Sequence, residues 1–80
     1  MKIYDYNGRR NICGNRIYEA RSVRRITQEE LAARLQTKGI ALERDSISRI
    51  ENGSRFVADY EVIEIAKALD VSPLWLLELE

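Results

Sequence analysis

The sequence contains no histidine, a single cysteine (Cys13), a single proline (Pro73) and four glycines. Each scarcity closes off a class of protein. One cysteine cannot form an internal disulfide, and no set of thiolates or imidazoles is available to cage zinc. Cys13 has no imidazole to activate it as a nucleophile, so it reads as a small apolar residue, buried or half-buried. An enzyme would need a poised base, nucleophile or metal site, and there is no phosphate-cradling glycine loop and no clustered ligand set. The expectation is a non-enzymatic protein with no cofactor, no metal and no evident small-molecule ligand. The longest apolar run, Leu74 to Leu77, is four residues, against about 20 for a membrane span. Residues 1–11 lack the apolar block of a signal peptide. A cytoplasmic location without membrane association is the default expectation.

What is present suits one small globular domain. The 80 residues are 45% apolar and 32% charged, enough for a single core. The formal net charge is zero, which taken alone argues against a polyanionic partner. The distribution changes that reading. Residues 1–25 carry seven cations against Asp5 and Glu19, a net +5; residues 26–55 balance; residues 56–80 carry Lys67 against six carboxylates, a net −5. A chain polarised in this way can turn a basic half toward phosphate and an acidic half away.

No strand-like alternation runs through the chain, and apolar residues recur at helical spacing. The spacing predicts a first helix from about Ile12 to Arg25, with Ile17, Ala20 and Val23/Arg24 setting its inward stripe. Thr27 and Glu30 stand at capping-box spacing at the head of a second helix, which buries Leu31, Ala32 and Leu35. A third helix is expected over Arg44 to Asn52, with Ile47 and Ile50 inward and Gly53 as a left-handed stop. Asp59 is expected to cap a fourth helix striped by Val62, Ile65, Ala66 and Leu69. Ser72-Pro73 opens a fifth, with Leu74 and Leu77 as its core contacts. Such short helices are stable only when packed together. The expected fold is all-α, a compact five-helix domain over residues 12–80 preceded by an irregular N-terminal arm, residues 1–11. Arg9 and Arg10 in that arm read more readily as a solvated tail than as a groove-reaching element.

Two short helices joined by a turn, the second ending in Asn-Gly, suggest a helix-turn-helix. The run Thr27-Gln28-Glu29-Glu30-Leu31-Ala32, followed by Ile47-Ser48-Arg49-Ile50-Glu51-Asn52-Gly53, resembles the lambda-repressor-like (Cro/C1-type, XRE) helix-turn-helix family. Gly14-Asn15-Arg16-Ile17 and Arg21 upstream fit it too. Downstream, so do Ile65-Ala66-Lys67-Ala68-Leu69-Asp70-Val71-Ser72 and Leu76-Leu77. The resemblance implies a transcriptional regulator, most often a repressor, whose third helix enters the major groove of double-stranded DNA. Carried over residue by residue, it assigns base contacts to Arg44, Asp45, Ser48 and Arg49. It assigns phosphate-backbone contacts to Gln28 and its neighbour Thr27, to Asn52 and Arg55, and to Arg21. The segment Gln36–Glu43 is longer than the family's usual turn. Gly39 is suited to making that turn, with Ile40 and Leu42 packing it down. Val57 stands near the place where the family often has proline.

Several residues carry two readings. Ser48 either contacts DNA or is simply small enough for close packing. Trp75, Leu76 and Leu79 are expected to form a partly exposed apolar end that pairs two copies as a homodimer on DNA; the alternative is that Trp75 caps the monomer core. Tyr4, Tyr6, Tyr18 and Tyr60 do not align as a stacking platform for single strands. An alternative function on the same scaffold is a protein-interaction module of antitoxin or anti-repressor type. Zero net charge, Asp45 in the presumed reading helix and the apolar C-terminus favour it.

Overall fold

The computed structural model describes residues 5–80, so Lys2 and Tyr4 lie outside the described residues. Among these are five helices and no strands: α1 (Gly14–Val23), α2 (Gln28–Gln36), α3 (Arg44–Glu51), α4 (Asp59–Leu69) and α5 (Pro73–Leu76). α1 packs on α3, α4 and α5, and α2 packs on α3 and α4. Ile17, Leu31, Leu35, Ile47, Ile50, Ile65, Leu69 and Leu76 meet at the centre with Cys13, all essentially without exposure. α3 thereby packs into the core through its apolar side, with the opposite side left open.

The boundaries follow from local chemistry. α1 stops short of its expected end because Arg25 turns left-handed (φ 57°), letting the Ile26 N–H donate to the Arg21 carbonyl at 2.9 Å. This is a Schellman ending in which the apolar residue after the left-handed one folds inward. Ile26 is accordingly 7% exposed, and Val23, expected on the inward stripe, is 74% exposed. α2 begins with the complete capping box: Glu30 N–H donates to Thr27 Oγ1 at 3.0 Å, and Thr27 N–H to Glu30 Oε1 at 2.8 Å. Those bonds from Thr27 hold the Glu30 carboxyl below its ordinary pKa. The long segment after α2 turns at Gly39 (φ 78°) and is pinned by buried Leu42 and half-buried Ile40. It delivers Arg44 as the first helical residue of α3.

Two expectations near the C-terminus are corrected. The N-cap of α4 is Ala58, and Asp59 is its first helical residue; Glu61 Oε1 reaches back to accept from the Ala58 N–H at 3.0 Å, so no Asp cap is needed. α5 is a single turn capped by Ser72, whose hydroxyl accepts from the Leu74 and Trp75 N–H groups. Leu74 is 50% exposed and Leu76 fully buried, the reverse of the expected phase. A one-turn helix has too few residues for periodicity to set its phase. α5 follows the left-handed turn at Asp70 (φ 57°) that ends α4.

Residues 5–11 are non-helical but folded. Asn7 (φ 53°) and Gly8 (φ 81°) form a tight turn. In it, Tyr6 and Arg9 exchange backbone hydrogen bonds of 2.6 and 3.0 Å. Positive φ at both central residues marks a type I′ turn, for which Asn-Gly is the favoured pair. Arg9 is half-buried and bonds the Glu51 carbonyl through Nη2 at 3.1 Å. It is thus no solvated tail residue.

Candidate nucleic-acid interface

Helical spacing divides α3 into two sides. Ile47 and Ile50 are each 1% exposed; Asp45, Arg49 and Asn52 lie opposite them and are exposed, with exposed Arg44 and half-buried Ser48 on the flank. The four residues expected to contact bases therefore share the outward part of one helix. Arg44 and Asp45 make no ion pair among the described residues. Arg49 Nε lies 3.4 Å from the Asp45 carbonyl, a weak bond that leaves the guanidinium fork open to solvent.

The end of α3 is a complete Schellman motif. Gly53 (φ 86°) is left-handed, its N–H donates to the Ile50 carbonyl at 3.1 Å, and the Ser54 N–H donates to the Arg49 carbonyl at 2.9 Å. Asn52 Oδ1 accepts a second bond from Ser54 N–H at 3.0 Å. That turns the amide NH₂ of Asn52, a donor only, toward solvent.

Behind this face sits a charged knot that the sequence reading did not assign. Glu51 Oε2 accepts from Arg21 Nε at 2.8 Å, and its Oε1 accepts from Arg21 Nη2 and Gln28 Nε2, both at 3.0 Å. Arg21 Nη1 also donates to the Ile26 carbonyl at 2.8 Å. One carboxylate thus ties α1, α2 and the last residue of α3 together. The bidentate pair raises the Arg21 pKa above its ordinary value, chiefly through the Glu51 hydrogen bonds. Arg21 was expected to contribute charge to a phosphate-facing surface; its side chain is 13% exposed and matched by Glu51. Gln28 keeps a second amide hydrogen for an outside acceptor, at a helix N-terminus whose Gln28 and Glu29 N–H groups have no partner within the helix. Arg55 is similarly engaged, donating to the Phe56 carbonyl at 2.7 Å and to Glu61 Oε1 at 3.2 Å.

Asn11 is a second residue with no sequence signal of its role. It is 8% exposed, donates to the Ile50 and Arg55 carbonyls at 3.0 and 2.8 Å, and accepts from the Gly14 N–H at 2.7 Å. Arg9 lies beside it, with its Nε buried and without a partner among the described residues.

The expected dimer residues are scattered in exposure. Leu76 is fully buried and Leu79 is 70% exposed. Trp75 is half-buried beneath Arg16, whose guanidinium lies 4.8 Å from the ring centroid. Arg16 also bonds the Trp75 and Glu80 carbonyls at 2.6 and 2.9 Å. Leu76 therefore belongs to the core and presents no surface to a partner. Burial pushes the Cys13 thiol up to about 11, leaving it protonated at neutral pH. No helix among the described residues is long and apolar enough to cross a membrane, and no group of three or more potential ligand side chains among them could hold a metal ion.

Residues 14–80 match the family of helix-turn-helix domains. The chain belongs to that family, and with it to a class of DNA-binding domains of regulatory type. No curated protein and no solved structure matches the chain significantly.

Proposed function

We propose that this protein is a sequence-specific transcriptional regulator of the Cro/C1 kind, acting as a repressor, with α3 lying in the major groove of double-stranded DNA. The observation that carries the reading is the outward side of α3. It gathers Arg44, Asp45, Ser48 and Arg49 along a helix held by Ile47 and Ile50 behind. An α-helix fits the major groove, and an arginine fork open to solvent can bond guanine O6 and N7 together. Asp45 suits the amino group of cytosine. Gln28 with the open N–H groups at the head of α2, and the amide of Asn52 past the end of α3, flank this face as phosphate contacts. Thr27 orders the α2 end through its cap. Arg21 and Arg55 act behind the surface, the first through Glu51 and the second through Glu61. The domain binds as a homodimer, with Leu79 and the open edge of Trp75 at the contact.

The test is enrichment from a randomised duplex library, with the Arg44→Ala/Arg49→Ala double variant alongside. A short two-fold-related site enriched by the wild type and lost in the variant supports readout through α3. Retention of all duplexes alike would leave backbone binding only. No retention at low salt would reject the regulator reading in favour of a protein-interaction module, for which Tyr60 and Ile63, 59% and 45% exposed on α4, offer a surface.

A further inference from the structure

We infer that residues 5–11 are a clasp that sets the position of α3 on DNA, with Arg9 and Asn11 as positioning residues. The inference rests on the regulator reading above and goes beyond it. It assigns specificity to residues that reach the reading helix from behind.

Everything the segment holds lies at one place. Asn11 bonds the Ile50 and Arg55 carbonyls, Arg9 bonds the Glu51 carbonyl, and the Arg10 N–H donates to the Gly53 carbonyl at 2.8 Å. These are carbonyls of the last turn of α3 and of the loop leaving it. The final carbonyls of a helix have no partners within it and carry its negative dipole end, so a guanidinium there is favoured twice. The fit is steric as well. The space a Cβ would take at Gly53 is filled by Arg9, whose Cζ lies 2.7 Å from that point and Nη1 2.8 Å. A Cβ at Gly14 would come within 2.8 Å of Arg9 Nη2. The guanidinium occupies a cradle between two glycines of different elements. The type I′ turn at Asn7-Gly8, with Asp5 Oδ1 accepting the Gly8 N–H at 3.0 Å, aims the segment back at that cradle.

Geometry makes this end of α3 the one that matters. The helix has eight residues and is too short to hold its own direction. Its N-cap, Glu43, makes no side-chain cap bond, and Arg44 and Asp45 sit at that uncapped end. Eight residues span about 12 Å, so a tilt of about 5° at the clasped end moves the far end by about 1 Å. That is enough to spoil a bidentate base contact, whose directional bonds weaken steeply with misalignment.

The test uses the wild-type binding site and four variants, each assayed at a temperature where Trp75 fluorescence shows it folded. Arg9→Lys keeps the charge but not the planar fork. Arg9→Ala loses both. Arg10→Ala removes one charge at the adjacent, exposed position. Gly8→Val strains the turn, where nothing lies within 4 Å of an added Cβ, and so weakens the clasp without entering the core. The clasp predicts that Arg9→Lys lowers the ratio of specific to non-specific affinity about tenfold, the scale of one base contact. It predicts an unchanged salt slope for that variant. Gly8→Val should move the ratio the same way and Arg9→Ala at least as far. Arg10→Ala should weaken both kinds of binding together and leave the ratio intact. Arg9→Lys binding like the wild type would make Arg9 a simple charge and overturn the inference. So would a fall in specific and non-specific binding by one common factor, which is what lost stability alone produces. Should the wild type itself bind no duplex, the regulator reading fails and takes the inference with it; failure confined to the Arg9 and Gly8 variants leaves that reading standing.

Discussion

Replacing Glu51 with alanine removes the one acceptor that Arg21 and Gln28 share. Arg21 keeps its bond to the Ile26 carbonyl, but its charge, 13% exposed, is left without a counter-ion. Removing one partner of a fully sealed ion pair costs about 3–5 kcal/mol. Arg21 retains an edge to water, which lowers the expected cost to about 2–3 kcal/mol. A domain of this length has about 4–12 kcal/mol of stability in all. The assay is urea unfolding followed by Trp75, the one tryptophan. With a slope of about 1 kcal/mol per molar for so small a chain, the midpoint should fall by about 2–3 M with the slope unchanged. A double-mutant cycle isolates the pair. Arg21→Ala/Glu51→Ala removes both charges and should cost less than the two single losses added, by about 1–2 kcal/mol. A midpoint shift under about 0.5 M for Glu51→Ala, or additivity within about 0.3 kcal/mol, would refute the view that this carboxylate ties three helices together.

Other substitutions test neighbouring parts of the argument. Gly14→Ala places a methyl against the Ile50 carbonyl, a backbone atom that cannot swing aside, so α1 and α3 must part; the expected loss is about 2–3 kcal/mol by thermal melting, in spite of alanine's better helix propensity. Leu76→Ala empties a fully buried site and should cost about 2–5 kcal/mol, whereas Leu79→Ala, 70% exposed in the monomer, should change stability by under about 0.5 kcal/mol. Cys13, raised from 9.0 to about 11, should react with a thiol reagent at pH 8 only through opening of the fold. Its folded-state value lies above its unfolded one, so its contribution is fully present below pH 9 and lost as pH rises toward about 11. Cys13→Ala should flatten that alkaline limb of the stability curve.

The elements that were legible in the sequence are those specified by local pairs. Thr27 with Glu30, Asn52 with Gly53 and Ser72 with Pro73 each mark a helix end through contacts within a few residues, and each end is where those pairs placed it. The inward stripes of α2, α3 and α4 were legible for the same reason. Illegible were the contacts between distant residues. Glu51 appeared as one letter of a familiar run, and only the fold reveals Arg21, 30 residues away, closing on it. Asn11 reaches across 39 residues to Ile50, and nothing local to it signals that bond. The Asn7-Gly8 turn was legible in principle, since Asn-Gly is a strong short-range turn signal. The alternating apolar residues that would mark a hairpin on both sides of it are missing, so the dipeptide stands alone as a signal. Leu74 and Leu76 exchanged roles because a single helical turn carries no periodicity to read.

The contacts inside the domain also change what the polarised charge can do. Arg21 is paired with Glu51, while Arg9 and Arg16 spend donors on carbonyls of the domain itself. Those charges remain, but their reach does not. Near the proposed reading face, Arg44 and Arg49 on α3, Arg10 beside its end and Arg25 just before α2 are exposed and make no ion pair among the described residues. Gln28, Asn52 and backbone N–H groups can hold phosphate, but they carry no charge to replace condensed counter-ions. Each phosphate neutralised by a cation contributes about −0.9 to the slope of log K against log salt, so four arginines set a limit of about −4 per domain. A count of every basic residue in the chain, 13 in all, would give about −12. Fluorescence anisotropy across a salt series separates the two: a slope steeper than about −6 per domain would mean that cations beyond these four, elsewhere on the surface or held inside the fold, reach DNA. A slope within the limit means that affinity is electrostatically modest. On the proposed reading, discrimination between sites then depends on the aim of α3, which we attribute to Glu51 from behind and to the N-terminal segment at its end.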